Sequence, residues 1–217
     1  MKDAVIVFDM DGVLVDVSES YRETIVRTVE HFTGRQITRE LIQEYKNAGG
    51  WNNDFALSQK ICADLGFEVA YDEVAAYFTD LFLAQGLIHR ERWLPAEGLL
   101  DHLGQKFELA IFTGRSQLEA AVTLQREGCH ERFFIVSSDD VANQKPHPEG
   151  LLKIAALHPG KRLLYLGDTV DDARSARAAN VPFIGVAGPE MPNREELVRL
   201  LQLEGAIRVL ENVNEIR

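Results

Sequence analysis

Acidic side chains follow the first apolar run of the chain. Asp9 and Asp11 come directly after the β-branched segment Ala4–Phe8, which is typical of a strand buried on both faces of a parallel sheet. Two carboxylates two residues apart at the end of a buried strand would repel each other and be poorly solvated. The pair therefore indicates a divalent cation, with one acid serving as a nucleophile and the other as an acid/base.

Three further groups of polar residues lie where later apolar runs end. Thr113 and Gly114 combine a hydroxyl with free backbone N–H groups at a predicted helix start, which suits a phosphate. Lys145 precedes a proline, whose rigidity fixes this cation beside another helix start. The last group comprises acids at a strand-to-helix transition, namely Asp168, Asp171 and Asp172.

Each of these patterns is common in proteins without any chemical role, since acids often cap helices and a lysine before a proline is usually solvated. Their order along the chain favours a functional interpretation, because all four groups follow predicted strands. The carboxyl ends of parallel strands meet at one edge of a sheet, where ligands bind in such folds. The sequence therefore predicts a site at that edge that combines acids, a hydroxyl and a lysine.

Five short apolar runs, separated by helical patterns, predict the sheet that brings these groups together. The runs span residues 4–8, 109–112, 133–136, 163–166 and 183–186. Apolar residues at helical spacing predict helices over 117–127, 148–157 and 169–179, followed by a helix over 194–204 and a strand over 206–210. Strands that alternate with helices form right-handed βαβ units. We therefore expect an α/β fold in which a Rossmann-like parallel sheet is flanked by helices.

The segment between the first two strands interrupts this alternation. Helical patterns cover residues 20–32, 39–46, 54–65 and 71–87, and no strand pattern separates them. A βα crossover needs one helix, so four helices predict an inserted all-helical subdomain. We expect residues 1–16 and 93–217 to form the core and residues 17–92 to form the insertion.

Composition restricts the class of protein. The chain has 217 residues, of which 46% are hydrophobic and 26% are charged, a balance typical of globular proteins. Its net charge of −11, without a cluster of basic residues, disfavours binding to nucleic acid or to an anionic membrane. Cys62 and Cys129 lie far apart and predict reduced thiols, and the short apolar N-terminal run does not resemble a signal peptide. We expect a cytoplasmic protein that is a monomer or a homodimer.

The polar groups resemble, in order, four motifs of the haloacid dehalogenase (HAD) superfamily. Residues 5–14 resemble motif I and residues 112–115 resemble motif II. Residues 145–146 are similar to motif III, and residues 167–172 are similar to the GDxxxD form of motif IV. The insertion between motifs I and II resembles the helical C1 cap of subfamily I. The resemblance implies a HAD fold and, within it, a subfamily IA hydrolase.

The same resemblance implies roles for individual residues. Asp9 is implied as the nucleophile and Asp11 as the acid/base. Thr113, Gly114 and Lys145 are implied to bind the phosphoryl oxygens. Mg²⁺ is the implied cofactor, and its implied ligands are Asp9, the main-chain carbonyl of Asp11, Asp168 and Asp172, the last of which either contacts the metal through water or orients Lys145.

The motif I residues favour a phosphatase within this superfamily. Dehalogenases of the superfamily typically have an aromatic residue at the position of Asp11, and phosphonatases have a small one. Sugar-phosphate mutases place a cap histidine shortly after motif I, where this chain has Ser20 and Tyr21. We therefore expect a Mg²⁺-dependent phosphomonoesterase that hydrolyses a small phosphorylated metabolite through an aspartyl phosphate. The alternatives are a phosphomutase and a non-catalytic binding module with this fold.

Substrate choice is expected to come from the helical insertion, because the motif residues contact only the phosphoryl group and the metal. The best candidate is the loop with Trp51, Asn52 and Asn53, which two glycines precede. An equally good interpretation makes this loop a connector, with Trp51 in the cap core and the next helix capped here. This loop and residues 11–21 also resemble a small uncharacterised subfamily with a loose association to histidine biosynthesis.

The predicted roles of two charged residues near the motifs are less specific. Arg115 opens a predicted helix, where an arginine is more commonly solvated or ion-paired than bound to substrate. Asp171 competes with Asp172 for the second acidic position of motif IV, but a solvated acid at a helix start is the favoured interpretation.

Overall fold

The computed structural model describes residues 2–216, in which strands and helices alternate. The strands, in chain order, are β1 (Ala4–Phe8), β2 (Val15–Asp16), β3 (Arg92–Trp93), β4 (Glu108–Phe112), β5 (Phe134–Val136), β6 (Arg162–Gly167), β7 (Phe183–Val186) and β8 (Arg208–Leu210). The α-helices are α1 (Tyr21–Thr33), α2 (Arg39–Ala48), α3 (Asp54–Asp64), α4 (Tyr71–Thr79), α5 (Leu99–Lys106), α6 (Gln117–Arg126), α7 (Glu149–Leu157), α8 (Val170–Ala179) and α9 (Arg194–Leu203).

Six strands form one parallel sheet in the order β5–β4–β1–β6–β7–β8. β1 lies in the middle, between β4 and β6. Its side chains alternate between the two faces, so Ile6 and Phe8 pack into one hydrophobic core while Val5 and Val7 pack into another. This double burial explains why the run is apolar at every position. The predicted α/β fold with a helix-flanked parallel sheet is confirmed.

The helical insertion, α1 to α4, lies between β2 and β3, which form a small antiparallel sheet of their own. Val15 pairs with Trp93 and Asp16 pairs with Arg92, so the two connections between the insertion and the large sheet run side by side. The Asp16 and Arg92 side chains also form an ion pair at 2.8 Å. Two-residue strands carry no periodic pattern, so the sequence does not predict them.

The end of the helical insertion differs from the prediction. One helix was expected over residues 71–87, but α4 ends at Thr79 and continues as a π-helical turn over Asp80–Ala84. A 3₁₀ turn over Leu87–Arg90 follows. Gly86 separates the two turns with a φ of +79°, a left-handed conformation that ends a regular helix.

α5 is a helix that the sequence analysis did not predict. It spans only eight residues and buries Leu100 and Leu103, and so short a segment repeats its apolar spacing too few times to stand out. The other predicted helices and strands begin and end within two residues of the observed ones.

Two further expectations concern membranes and thiols. Within residues 2–216, the helices are all too short or too polar to span a bilayer. Cys62 and Cys129 are free and buried.

Candidate active site

The predicted polar residues follow neighbouring strands at one edge of the sheet. Asp9 follows β1, Thr113 follows β4 and Asp168 follows β6, and β1 is adjacent to both other strands. Backbone hydrogen bonds continue past the strand ends, since the N–H of Asp9 donates to the Leu166 carbonyl at 2.8 Å and that of Thr113 donates to the Val136 carbonyl at 3.0 Å. The sheet therefore fixes the main chain beneath these side chains.

Lys145 joins two of the acids. Its Nζ lies 2.8 Å from Oδ1 of Asp9 and 2.7 Å from Oδ1 of Asp172, and all three side chains are buried. Burial alone would lower the pKa of the Lys145 ammonium, but the charges of Asp172 and Asp9 outweigh it and raise the pKa above its usual range. Lys145 is therefore a permanent, immobile cation beside Asp9.

Tyr165, in the middle of β6, supports Asp172 from inside the sheet. Its hydroxyl donates to Oδ1 of Asp172 at 2.6 Å and accepts from Lys145 at 3.2 Å. The other oxygen, Oδ2, accepts the Thr169 hydroxyl at 2.6 Å in the capping box that begins α8. Burial raises the pKa of Asp172, but Lys145 and these hydrogen bonds lower it on balance. The geometry matches the expected alternative in which Asp172 orients Lys145.

Three acids could hold a divalent cation. One carboxylate oxygen from each of Asp9, Asp168 and Asp172 lies within 4.8 Å of the other two. Oδ1 of Asp168 is buried and has no hydrogen-bond partner among residues 2–216, which is costly for a carboxylate. A donor set made only of oxygen atoms suits Mg²⁺. The residues present therefore fit the cation that the family resemblance implies.

Burial and the neighbouring charges also shift the pKa values of these carboxyl groups. Burial raises the pKa of Asp9 to about 7, with Asp172 and Asp11 adding to the effect and Lys145 opposing it. Burial, followed by the charge of Asp9, also raises the pKa of Asp168 well above its usual range. A bound divalent cation would favour the ionised forms of both acids.

The carboxylate of Asp11 lies outside this cluster and binds Arg115. Nε and Nη2 of Arg115 both donate to Oδ1 of Asp11, at 2.8 and 2.5 Å. The expectation that Arg115 is ion-paired rather than bound to substrate matches this geometry, and its partner is the predicted acid/base.

A cleft of about 400 Å³ opens between the edge of the sheet and the helical insertion. Asp9, Asp11, Gly114 and Asp168 line the side formed by the sheet. Thr113 is buried beneath the cleft, and its hydroxyl accepts the Arg115 N–H at 3.2 Å. The helical insertion lines the opposite side with residues that include Tyr21, Arg22, Lys46, Asn52, Asn53 and Phe55. A cleft of this size fits a small metabolite.

The predicted specificity loop divides into residues with different contacts. Asn52 lines the cleft and lies close to Gly114. A Cβ added to Gly114 would lie only 2.7 Å from Nδ2 of Asn52. Asn53 also lines the cleft, but its side chain caps α3. Trp51 is not among the lining residues and is partly buried against a hydrophobic cluster, which favours the connector interpretation, and its specificity role stays a prediction. The Asn52 side chain neither caps a helix nor packs in a core, and its amide donates to Oε1 of Gln144 at 3.5 Å.

Asp171 is not the solvated acid that was expected. Its side chain is buried, and its two carboxylate oxygens accept the N–H of Gly50 at 2.7 and 2.9 Å. Gly50 belongs to the loop between α2 and α3, so this contact fastens the helical insertion to the start of α8. The preceding Gly49 has a φ of +81°, a left-handed conformation that favours glycine.

The sequence did not predict the contacts of three residues at the site. Tyr165 lies inside an apolar strand run, and the only signal in the sequence is that its hydroxyl would need a buried partner. Arg115 was noticed, but its pairing with Asp11 was not. Lys46 lines the cleft and forms a buried ion pair with Asp54 at 2.6 Å. No spacing rule predicts either ion pair, because tertiary packing brings the partners together.

Comparisons with known proteins agree with this architecture. The chain matches the family model of the haloacid dehalogenase-like hydrolases over residues 6–186. Imidazoleglycerol-phosphate dehydratase from Phytophthora nicotianae is 33% identical over 202 residues, which cover 85% of this chain but only 43% of that relative's length. Pyrophosphatase PpaX from Bacillus pumilus is 27% identical over 186 residues, which cover 84% of this chain and 82% of the relative.

A solved structure shares the fold over the whole length of this chain. It is that of a conserved haloacid dehalogenase-like protein of unknown function from Agrobacterium tumefaciens, with a TM-score of 0.78 and 21% identity. The superposition covers 100% of this chain and 96% of that chain, and at this identity it concerns the fold alone. The family model spans all four motifs that meet at the edge of the sheet, and this chain therefore belongs to the haloacid dehalogenase-like hydrolases.

Proposed function

We propose that this chain is a Mg²⁺-dependent phosphomonoesterase that acts on a small phosphorylated metabolite. The observation that carries the proposal is the buried contact of 2.8 Å between Asp9 and Lys145, beside Asp168 at the open edge of the sheet. This contact pairs a carboxylate nucleophile with a fixed cation that can also meet a phosphate oxygen. Membership of the family supports the same chemistry.

Asp9, Asp168 and the main-chain carbonyl of Asp11 are the proposed ligands of Mg²⁺. Both carboxylate oxygens of Asp172 already accept hydrogen bonds, so Asp172 is proposed to contact the metal through water. When bound, the cation would offset the repulsion between Asp9 and a phosphate dianion and orient the phosphoryl group.

The protein's own residues then perform the transfer. Asp9 attacks phosphorus in line with the leaving oxygen and becomes an aspartyl phosphate. Lys145, which Asp172 keeps in place, binds a phosphoryl oxygen as charge moves away from Asp9. Thr113 and the backbone N–H groups near Gly114 are proposed to bind the other phosphoryl oxygens.

Asp11 supplies and then recovers a proton. It protonates the leaving oxygen in the first step and accepts a proton from the water that hydrolyses the aspartyl phosphate in the second. Its side chain is 30% exposed and lines the cleft, which supports this role.

The relatives supply candidates for the substrate. PpaX is named a pyrophosphatase, which makes pyrophosphate one candidate. The relative from Phytophthora nicotianae is named after imidazoleglycerol phosphate, which is a phosphate ester of a small alcohol. This chain spans only 43% of that protein. Imidazoleglycerol phosphate is therefore a second candidate, and it agrees with the association to histidine biosynthesis noted from the sequence.

Phosphate release tests the proposal. Purified protein is assayed with p-nitrophenyl phosphate, pyrophosphate and a panel of metabolites that includes imidazoleglycerol phosphate, with Mg²⁺ or with EDTA. We expect release that requires Mg²⁺, favours a monoester over pyrophosphate and disappears in Asp9→Asn but not in the exposed control Asp72→Asn. No release from any ester would contradict an enzymatic role and favour the binding-module alternative.

The same assay separates a phosphatase from a phosphomutase. A mutase returns the phosphoryl group to a sugar phosphate and depends on a bisphosphate primer. We expect multiple turnovers of phosphate release without any primer. Isomerisation of a sugar phosphate that needs a primer would contradict the proposal.

A further inference from the structure

Arg115 leaves one oxygen of the proposed acid/base free. Oδ1 of Asp11 accepts hydrogen bonds from both Nε and Nη2 of Arg115, at 2.8 and 2.5 Å. Oδ2 has no hydrogen-bond partner in the described part of the chain, and the Asp11 side chain is 30% exposed in the cleft. Oδ2 is therefore the oxygen that can exchange a proton with a bound substrate.

Arg115 is itself fixed from several sides. Its Nη2 lies 2.7 Å from Oε1 of the fully buried Glu91, and its Nη1 donates to Thr123 at 2.9 Å. The ring of Tyr21 lies 4.9 Å from the guanidinium carbon. Glu91 in turn accepts hydrogen bonds from Thr123 at 2.6 Å and from Arg126 at 3.3 Å.

These contacts favour a positioning role over a substrate-binding role. An arginine that binds substrate must present an N–H group to the cleft, but the Arg115 side chain is only 1% exposed and all three of its nitrogens have protein partners. Stability alone does not explain the cluster either, because buried ion pairs contribute little net free energy of folding. What the cluster does accomplish is to fix Asp11.

The cluster also spans both connections to the helical insertion. Glu91 immediately precedes β3, and Tyr21 is the first residue of α1. The orientation of Asp11 therefore depends on residues from the beginning and from the end of the insertion.

We propose that Arg115, whose buried charge Glu91 balances, is a positioning residue that orients Asp11 for proton transfer through Oδ2. The inference rests on the proposed role of Asp11. In the first step the proton moves from Oδ2 to the leaving oxygen, as the bond from phosphorus to that oxygen breaks and the bond from Asp9 to phosphorus forms. In the second step Oδ2 takes a proton from the attacking water as the water oxygen bonds to phosphorus, and the bond from Asp9 to phosphorus breaks to release phosphate and free Asp9. Arg115 exchanges no proton and contacts no substrate.

Two variants that differ only in Arg115 test this inference. Replacing Arg115 alone would strand the buried charge of Glu91, so the comparison uses Glu91→Gln and the double variant Glu91→Gln/Arg115→Met. The introduced glutamine keeps an oxygen that can accept from Thr123, and the single variant retains the contact between Arg115 and Asp11. Thermal unfolding of both proteins checks that they are folded.

The readout is kcat/KM for two aryl esters of similar size. p-Nitrophenyl phosphate has a leaving group that needs no proton, whereas phenyl phosphate has one that does. Relative to Glu91→Gln, the double variant should lose about tenfold more activity on phenyl phosphate than on p-nitrophenyl phosphate. The reason is that only the leaving group of phenyl phosphate depends on general acid catalysis by Asp11. Adding Asp11→Asn to both proteins should remove this difference.

Equal losses on the two esters, or no loss, would overturn the positioning role. Arg126→Met is the matched control, since Arg126 also contacts Glu91 but not Asp11, and it should leave the ratio of the two rates unchanged. If the double variant does not fold, Arg115→Lys replaces it, because lysine keeps the positive charge but cannot donate two hydrogen bonds to Oδ1 of Asp11 as Nε and Nη2 do. This variant should also lose more kcat/KM on phenyl phosphate than on p-nitrophenyl phosphate, by a smaller factor. Inactivity of the wild-type protein on both esters would instead contradict the proposed function, and with it the role of Arg115.

Discussion

Asp9 combines burial, a cationic neighbour and neighbouring acids, and this combination makes the metal-free protein sensitive to pH. Burial raises its pKa from 3.8 to about 7, so between these values the folded chain binds a proton that the unfolded chain has released. When the folded state binds more protons, the free energy of unfolding falls as the pH rises. The contribution of Asp9 therefore weakens the metal-free protein as the pH increases from about 4 to about 7.

Asp9→Asn removes this dependence because the amide does not ionise. With EDTA present, we expect the variant to have a Tm several degrees above that of the wild type at about pH 7.5, and a smaller advantage at about pH 5. Thermal unfolding of both proteins at the two pH values measures the effect. An advantage of the same size at both values would show that Asp9 ionises normally in the fold.

The motif residues could be predicted from the sequence because each follows an apolar strand. A parallel sheet brings such positions to one edge without any knowledge of the side-chain contacts. The partners of these residues could not be predicted in the same way. Tyr165 is part of an apolar run, and the pairing of Arg115 with Asp11 joins residues that are 104 positions apart.

At the scale of elements, α8 and the loop between α2 and α3 are joined through Asp171 and Gly50. Removing the carboxylate in Asp171→Ala should loosen the loop that places Asn52 in the cleft. We expect KM for the best metabolite to rise by roughly threefold to tenfold with little change in kcat, since Asp171 does not contact Asp9 or Lys145. Steady-state kinetics measures both constants.

Gly49→Ala provides an independent way to disturb the same contact. Gly49 has a φ of +81°, which strains an alanine, and an added Cβ would lie 3.2 Å from Oδ1 of Asp171, so the substitution should displace the loop from α8. It should therefore reproduce the rise in KM that Asp171→Ala causes. A fall in kcat without a rise in KM, in either variant, would mean that this contact acts on the chemistry and not on the loop.

The two asparagines of this loop are expected to respond differently to substitution. Asn52→Ala should lower kcat/KM for the best metabolite about tenfold and leave p-nitrophenyl phosphate nearly unaffected, because its side chain lies in the cleft and its hydrogen bond to Gln144 is long, at 3.5 Å. Asn53→Ala removes the cap of α3, which costs about 1 kcal/mol of unfolding free energy, and should affect both substrates equally. Parallel losses on both substrates in Asn52→Ala would place specificity elsewhere in the helical insertion.

Long periodic elements could be predicted from the sequence, and short connections could not. The pattern of β1 is strong because both faces of the strand are buried. Most of the helices were predicted because their apolar residues recur at helical spacing. β2 and β3 are two residues each, and the π-helical turn after α4 looks like a continued helix in the sequence. These elements depend on tertiary pairing, which leaves no local signal.

At the scale of the whole molecule, the helical insertion and the sheet enclose a site whose acids repel one another. A cation that binds this site should stabilise the folded protein, because it binds the folded state and not the unfolded one. We expect millimolar Mg²⁺ to raise the Tm of the wild type by several degrees at about pH 7.5 and by less at about pH 5, where protons compete for the acids. The same Tm shift in Asp168→Asn would show that Mg²⁺ binds elsewhere.

The most direct test of the central claim is to identify the residue that carries the phosphoryl group. Asp11→Asn slows hydrolysis of the intermediate more than its formation when p-nitrophenyl phosphate supplies an activated leaving group. The variant is mixed with this ester and Mg²⁺, quenched in acid, digested and analysed by mass spectrometry, with Asp9→Asn/Asp11→Asn as the control. We predict one added phosphoryl group on Asp9 and none in the control. Turnover without any phosphoryl adduct, or an adduct on another residue, would contradict the assignment of Asp9 as the nucleophile.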